Sequence, residues 1–275
     1  MKVSIIVSVY KDVGALNLIV QALHSQTYKN FELVIAEDGN DPAMLQYIEG
    51  IEGLEVKHTT QEDKGIRKNR STNNGIIASD GDYLIFIDGD CIPYSTFVDA
   101  HVKLSETKTV LSGRRVNLGP DYSEKIRSKK ITSLQLEKNY LRWYRSILKD
   151  AVERHTESGF YFRPEGFFYK LIFRHFKNTV AIIGCNFSCF RSDILNINGF
   201  DENYGETSVG DDTDIDWRLQ ASGCNIKSAK NVANMFHLYH SRGFRDTIKN
   251  SVELKKMNER KDNNQWVAEK GLDTH

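Results

Sequence analysis

The chain has 275 residues, 40% of them hydrophobic, so it can bury a substantial core as one large domain or two small ones. Thirty-seven basic residues balance thirty-seven acidic ones, which excludes a global field aimed at nucleic acid and makes any basic surface a local one. The four cysteines, Cys91, Cys185, Cys189 and Cys224, form no CxxC pair, so free thiols are expected in place of a disulfide framework or a zinc site.

The opening MKVSIIVSVYKD holds an apolar run too short for a signal peptide, and nothing later approaches the ~20 apolar residues of a membrane span. A cytoplasmic protein is the expectation. Residues 3–9 are a β-branched strand, and Ala15, Leu16, Leu18, Ile19, Ala22 and Leu23 then recur at helical spacing. Residues 31–36 read as a second strand running into Asp38-Gly39, with Pro42 where a helix begins. A short strand over 54–57 and a helix over 68–78 follow. Residues 83–87 are a continuous apolar strand of the kind buried on both faces. This βαβαβαβ order predicts an α/β fold with a doubly wound, mostly parallel sheet and right-handed crossovers. Ligands gather at the carboxyl ends of such strands, so Asp38, Asp88 and Asp90 are expected near one crevice.

The second half is less regular. A strand is expected over 110–116. Residues 121–178 then interleave Lys125, Arg127, Lys129, Lys130, Lys138, Arg142, Arg145 and Lys149 with Trp143, Tyr144, Phe160, Tyr161, Phe162, Phe167, Phe168 and Tyr169. Leu134, Leu141, Tyr144, Leu148 and Val152 fall on one helical face. Residues 179–190 read as a buried strand or turn, 212–219 as a helix, and 231–239 as a last strand carrying His237 and leading to His240. From residue 246 a peripheral helix and a loose end are expected.

Two acidic clusters carry the chemistry. In FIDGDCIP, Asp88 and Asp90 can hold a hard divalent cation against a diphosphate. Alternatively one is a phosphoryl-accepting nucleophile and the other its acid partner, or the tripeptide is a solvated turn. In GDDTDIDWRL, Asp211, Asp212, Asp214 and Asp216 crowd the start of a helix. The helix dipole accounts for one or two of them, and repulsion among four implies a cation or a hydroxyl proton to engage at least one.

The stretches SIIVSVYKD, AEDGN, KGIRKNRSTNNGI, FIDGDCIP, GCNFSCFRSDILNINGFDE, GDDTDIDWRL and FHLYH occur in the order found in glycosyltransferase family 2. The downstream set resembles the C-terminal part of galactosyltransferase-type members. The matches cover residues 3–100 and 180–240 and leave the insertion uncovered. The resemblance implies a GT-A fold over 1–240, with a nucleotide-binding half at 1–105, an acceptor half at 106–240 that includes a helical, aromatic-rich insertion at 121–178, and a tail at 241–275. It implies an inverting, metal-dependent glycosyltransferase that uses a UDP-sugar and builds a surface polysaccharide or lipopolysaccharide on a glycan or lipid-linked acceptor. By the same resemblance Asp38 reads the uracil ring, Ser8 and Tyr10 share the nucleotide pocket, and Arg67 and Arg70 reach the diphosphate. Asp88 contacts ribose or metal, and Asp90 ligates the metal with His237 or His240. That donor set favours Mn2+ over Mg2+. Gly184 and Asn186 line the sugar pocket, Asp211 and Trp217 bind acceptor, and Asp212 is the base. The family's usual Arg-Asn pair is here Thr72-Asn73, which leaves open whether Arg70 substitutes.

A haloacid-dehalogenase-type phosphohydrolase using Asp88 and Asp90 is the alternative, although its nucleophile strand normally comes first in the sheet. A non-catalytic binding module would not need both acidic clusters. No GK[ST] phosphate loop occurs. Interleaved cations and aromatics in the insertion suit an anionic membrane surface, or a solvated basic face over an aromatic core. A stacking platform for single strands is remote, and no nucleic-acid partner is expected.

Overall fold

β1 (Val3–Val9), β2 (Phe31–Glu37) and β4 (Tyr83–Asp88) carry apolar side chains at nearly every position, as strands covered on both faces must. The computed structural model describes every residue except 154, 165, 167, 168, 170–179, 205–208 and 242–246, and for residues 211 and 247–250 the backbone only. These strands are central in a seven-stranded sheet of order β3-β2-β1-β4-β8-β6-β9. The others are β3 (Val56–Thr59), β6 (Thr109–Ser112), β8 (Asn186–Phe190) and β9 (Asn225–Ser228). β8 runs antiparallel to both neighbours, and the remaining pairs are parallel.

Period-two alternation divides the side chains between two layers. Ile5, Val7, Leu33, Ile35, Ile85 and Ile87 pack with α1 (Val13–His24), α2 (Pro42–Glu49) and α4 (Phe97–Leu104). Ile6, Val34, Leu84 and Phe86 face the other way, onto α3 (Lys68–Ala78), α8 (Arg191–Asn196) and α9 (Ile215–Ala221). Local signals start the first helices. Asp12 caps α1 by accepting the Ala15 amide at 2.8 Å, and Asp41 caps α2 ahead of Pro42.

Residues 110–116 form two strands, not one. The chain leaves the main sheet at Gly113 and enters a second sheet of order β5-β10-β7, made of β5 (Cys91–Pro93), β10 (Asn234–His237) and β7 (Arg114–Asn117). A Cβ at Gly113 would collide with the Asn186 amide. This small sheet is what brings residues 234–240 beside Asp90.

The insertion contains α5 (Pro120–Arg127), α6 (Ser133–Lys138) and α7 (Tyr140–Asp150). Its helical period is as expected, but the buried stripe is a different one. α7 buries Tyr140 and Ile147, whereas Leu141, Leu148 and Val152 are 78%, 53% and 65% exposed. The partner surface is aromatic: Tyr140 packs on Phe236 and Phe160, and Tyr144 lies 4.6 Å from Phe160. Flat rings fill that space, and the leucines are left outside. Phe167 and Phe168 lie outside the described residues.

α10 (Thr247–Asp262) is the expected terminal helix, but the segment after it is not loose. The Ala268 amide donates to the Ile197 carbonyl at 3.0 Å, Leu272 to Asn198 at 3.2 Å, and Leu272 and Trp266 pack on the core.

Glu32 is a fully buried carboxylate in β2. Burial alone would raise its pKa, but hydrogen bonds from Ser4 and the Asp80 amide and ion pairs with Lys57 and Lys2 hold it at about 2, below the ordinary 4.5. A depressed carboxylate stabilises the fold above its unfolded pKa and is lost as pH falls through the folded one. Glu32→Gln is therefore expected to cost about 2 kcal/mol at neutral pH, below the ~3–5 of a deeply buried pair because both lysines are partly exposed. Its stability should also fall less steeply than the parent's between pH 4.5 and 2, as urea unfolding across that range will show.

Candidate active site

Parallel register sets Ser8 opposite Ala36 on one side and Asp88 on the other, so β1, β2 and β4 end together. Their carboxyl ends open into a cleft of about 710 Å³ lined by, among others, Ser8, Tyr10, Asp38, Lys68, Asp88, Asp90, Arg127 and His240. Gly89 permits this convergence. A Cβ there would stand 2.8 Å from the Ser8 carbonyl oxygen and 3.2 Å from Val9 Cα, both backbone atoms.

Asp90 turns Oδ2 toward two imidazoles, with His237 Nε2 at 3.2 Å and His240 Nε2 at 3.3 Å. Strand pairing causes the meeting, because β10 sets His237 opposite Cys91 and the Leu238 amide donates to the Asp90 carbonyl at 3.0 Å. Burial opposes ionisation of Asp90, but hydrogen bonds from both histidines prevail and hold its carboxyl far below the usual carboxylate range. The bond to Asp90 raises the His240 pKa, and Nδ1 of the same ring donates to the Ser241 carbonyl, which leaves Nε2 facing the cleft. One carboxylate oxygen and two imidazole nitrogens lie within 4.8 Å of one another, a donor set that fits a divalent cation. Glu32, Glu55 and Asp80 also cluster, but Lys2 and Lys57 neutralise them.

Asp38 is 8% exposed and organises the loop beside the cleft: Oδ1 accepts Gln61 Nε2 at 2.6 Å and Oδ2 accepts the Arg67 amide at 2.7 Å. Ser8 Oγ lies 3.0 Å from Thr72 Oγ1. Tyr10 is 52% exposed on the rim with Lys11 Nζ over its ring. The arginines depart from expectation. Arg67 donates to the Glu62 carbonyl, Arg70 lies 3.9 Å from Glu202, and both line a separate pocket with Asn74 and His275. Arg70 thus lines that separate pocket and not the cleft of Asp88 and Asp90. Lys68, one residue on from Arg67, is the α3 cation that enters the cleft, with Nζ 2.7 Å from Asp88 Oδ1.

Two other cations were not assigned to the cleft by the sequence. Arg127 of α5 makes a forked contact with Asp12 at 2.8 and 3.1 Å on the cleft wall. Arg115 shares a face with Asn117, His237 and Cys91 through the β7–β10–β5 register and lies near Asp88 and Asp90. Its guanidinium has no hydrogen bond or ion pair among the described residues. Neither residue belongs to a local motif, so only pairing across the fold could reveal it.

The second acidic cluster is a π-helical turn, Val209–Asp214, leading into α9. Asp214 is structural: fully buried, it accepts from Tyr204, Trp217 Nε1 and Arg218 Nε at 2.7, 3.0 and 2.5 Å. Asp216 accepts the Ile182 amide and the Gln220 side chain. Asp212 Oδ1 accepts the Gly184 amide. The side chain of Asp211 lies outside the described residues. Trp217, expected at the acceptor, is 7% exposed and packs with Tyr204, Val209 and Met257 while holding Asp214. Asn186, expected in the sugar pocket, is fully buried. Its Nδ2 donates to the Arg114 and Ala233 carbonyls and Oδ1 faces His101, so it staples two sheets together. On the side of the second cluster Asp212 holds the turn at Gly184-Cys185 by accepting the Gly184 amide, and on the side of the first Cys91 Sγ donates to Asp90 Oδ1 at 3.3 Å.

Residues 4–196 match the family model for glycosyl transferase family 2, well over half of the chain. The chain belongs to that family. Residues 172–241 match a second model described as the N-terminal domain of galactosyltransferase. Among curated relatives, the glycosyltransferase AglE of Haloferax volcanii is 29% identical over 42% of this chain and 37% of its own. The glycosyltransferase GlyA of Streptococcus pneumoniae serotype 4 is 30% identical over 32% of this chain and 13% of its own. The matched region thus spans well under half the length of either. Among solved structures, the mannosyltransferase PcManGT of Pyrobaculum calidifontis, in complex with GDP-Man and Mn2+, superposes with a TM-score of 0.59 at 14% identity, over 95% of this chain and 64% of that one. GalNAc-T7 with UDP, GalNAc and Mn2+ gives 0.62 at 13% identity, over 94% and 48%. These likenesses establish the GT-A fold for this family 2 chain. Nothing in them supports the phosphohydrolase alternative.

Because only glycine fits between the two aspartates, Gly89→Ala is expected to destabilise the fold by about 1–3 kcal/mol in urea unfolding, the cost of overpacking a tight site.

Proposed function

We propose that this family 2 chain transfers a sugar, with inversion, from a nucleotide-sugar donor to a hydroxyl of a glycan or lipid-linked acceptor. The observation that carries this reading is the Asp90–His237–His240 cluster at the end of a cleft formed by the carboxyl ends of β1, β2 and β4. A UDP-sugar is the donor of choice, because Asp38 offers carboxylate oxygens where a base with a ring N–H would lie and Tyr10 offers a face beside it. The mannosyltransferase structure carries GDP-Man, and that of Staphylococcus aureus TarS 1–349 carries UDP-GlcNAc, which supports a nucleotide sugar as the donor class.

Asp90, His237 and His240 would hold a divalent cation, Mn2+ or Mg2+. When bound, it supplies positive charge against the diphosphate. Lys68, Arg127 and Arg115 surround the same region and add fixed positive charge for the departing nucleoside diphosphate. The acceptor oxygen attacks the anomeric carbon opposite the leaving group, forming one C–O bond as the C–O bond to phosphate breaks. Asp212 receives the hydroxyl proton. Aspartate is a weak base with a reference pKa of about 3.9, so proton removal develops as the sugar–phosphate bond lengthens and position outweighs basicity. The Gly184 amide fixes that position by donating to one Asp212 oxygen.

UDP together with Mn2+ is expected to raise the melting temperature, by up to ~2.7 kcal/mol of stability at a hundredfold excess over Kd. Asp90→Ala should abolish the shift, and a parent protein unmoved by any nucleoside diphosphate would overturn the donor site. Asp212→Asn should keep the donor-induced shift while sugar transfer falls by ~10²–10⁴, measured as UDP release across a panel of donors and acceptors. Full turnover by that variant would assign the base elsewhere.

A further inference from the structure

The outward face of α7 combines three exposed apolar side chains with a group of unpaired cations. At 100° per residue, Tyr140 and Ile147 point into the fold, Arg142, Arg145 and Lys149 lie on the opposite face, and Leu141 and Leu148, each about 100° on from a buried residue, line one edge of that face. Lys138 from α6 and Val152 just beyond the helix extend it at either end. Single exposed leucines are ordinary on a soluble surface. Here three apolar residues lie together within four turns at 53–78% exposure, on a helix whose inner face already has a full aromatic partner.

The charge pattern is one-sided for a physical reason. Three acids lie between residues 137 and 153, and each is turned away. Glu137 accepts from Ser95 N and Oγ, Asp150 accepts the Asp121 and Tyr122 amides that open α5, and Glu153 accepts from Asn117. Lys138, Arg142, Arg145 and Lys149 have no hydrogen bond or ion pair among the described residues. The chain as a whole has zero net charge, so this patch is not a sample of a basic protein.

We propose that this face of α7 rests on the surface of an anionic lipid bilayer. Leu141, Leu148 and Val152 enter the headgroup boundary, and the four cations meet lipid phosphates. An apolar strip edged by cations, with the acids of residues 137–153 turned away, is complementary to such a surface in both polarity and charge. The location is also consistent with a membrane-borne acceptor, because Tyr140 on the inner face of α7 packs against Phe236, which precedes His237 in β10. The docking surface does not depend on the sugar-transfer reading.

The test is co-sedimentation of the full chain with vesicles of phosphatidylglycerol and phosphatidylcholine, and with phosphatidylcholine alone. Retention is expected on the anionic vesicles at low ionic strength and release at high salt. Each basic residue near such a surface is worth roughly fivefold in partition, so R142E/R145E/K149E should lower it by more than ~100-fold. L141S/L148S/V152S should remove the salt-resistant remainder. All six positions lie on the outward side, so circular dichroism and the UDP–Mn2+ melting shift should stay at parental values in both variants. A lost shift with intact vesicle binding would count against the donor site, not this surface. Equal binding to neutral vesicles, no retention at low salt, retention unchanged in the charge-reversed variant, or capture by single-stranded RNA in place of vesicles would each overturn the proposal.

Discussion

One oxygen of Asp90 meets two imidazoles, at 3.2 and 3.3 Å, and the site depends on that contact because it ties together segments almost 150 residues apart in the chain. The small sheet is the device that enforces it. β5 follows Asp90 directly, β10 pairs with β5 so that His237 stands opposite Cys91, and the Leu238 amide closes back on the Asp90 carbonyl. A strand ladder is a rigid way to hold ligands, since each backbone bond fixes the register of the side chains beside it.

The same sheet explains why cations collect where the two sheets meet. β7 lies on the other side of β10 and presents Arg115 on the face that carries His237. From the opposite wall come Lys68 at the start of α3 and Arg127 at the end of α5, each already paired with an aspartate. Those ion pairs keep the acids and the cations of the cleft in balance. Asp212 comes from a separate element, where its carboxylate accepts the Gly184 amide.

Crowding of aspartates in GDDTDIDWRL has a largely structural explanation. Asp214 is consumed by Tyr204, Trp217 and Arg218 in a fully buried cluster, and Asp216 by the Ile182 amide. A buried carboxylate with three donors braces the π-helical turn that presents Asp212, much as Asn186 braces the junction of the two sheets. Asn186 and Trp217, read from the sequence as contacts for substrate, are thus buried braces between elements.

What the sequence determined by itself was local and periodic. Apolar runs with β-branched residues specified β1, β2 and β4, helical spacing and caps specified α1 and α2, and the strand-end positions of Asp38, Asp88 and Asp90 followed from a parallel sheet. Gly-flanked acids at strand ends are legible because turn chemistry and strand period are properties of neighbouring residues. Tertiary structure decided whatever depended on a distant partner. It turned Arg67 and Arg70 into another pocket while Lys68 faced the cleft, since one residue along a helix is a rotation of 100°. It chose the aromatic stripe of α7 over the leucine stripe, because Phe236 and Phe160 were the surface available. It buried Asn186 and Trp217, whose hydrogen-bond partners come from strands and turns that no local pattern could bring together.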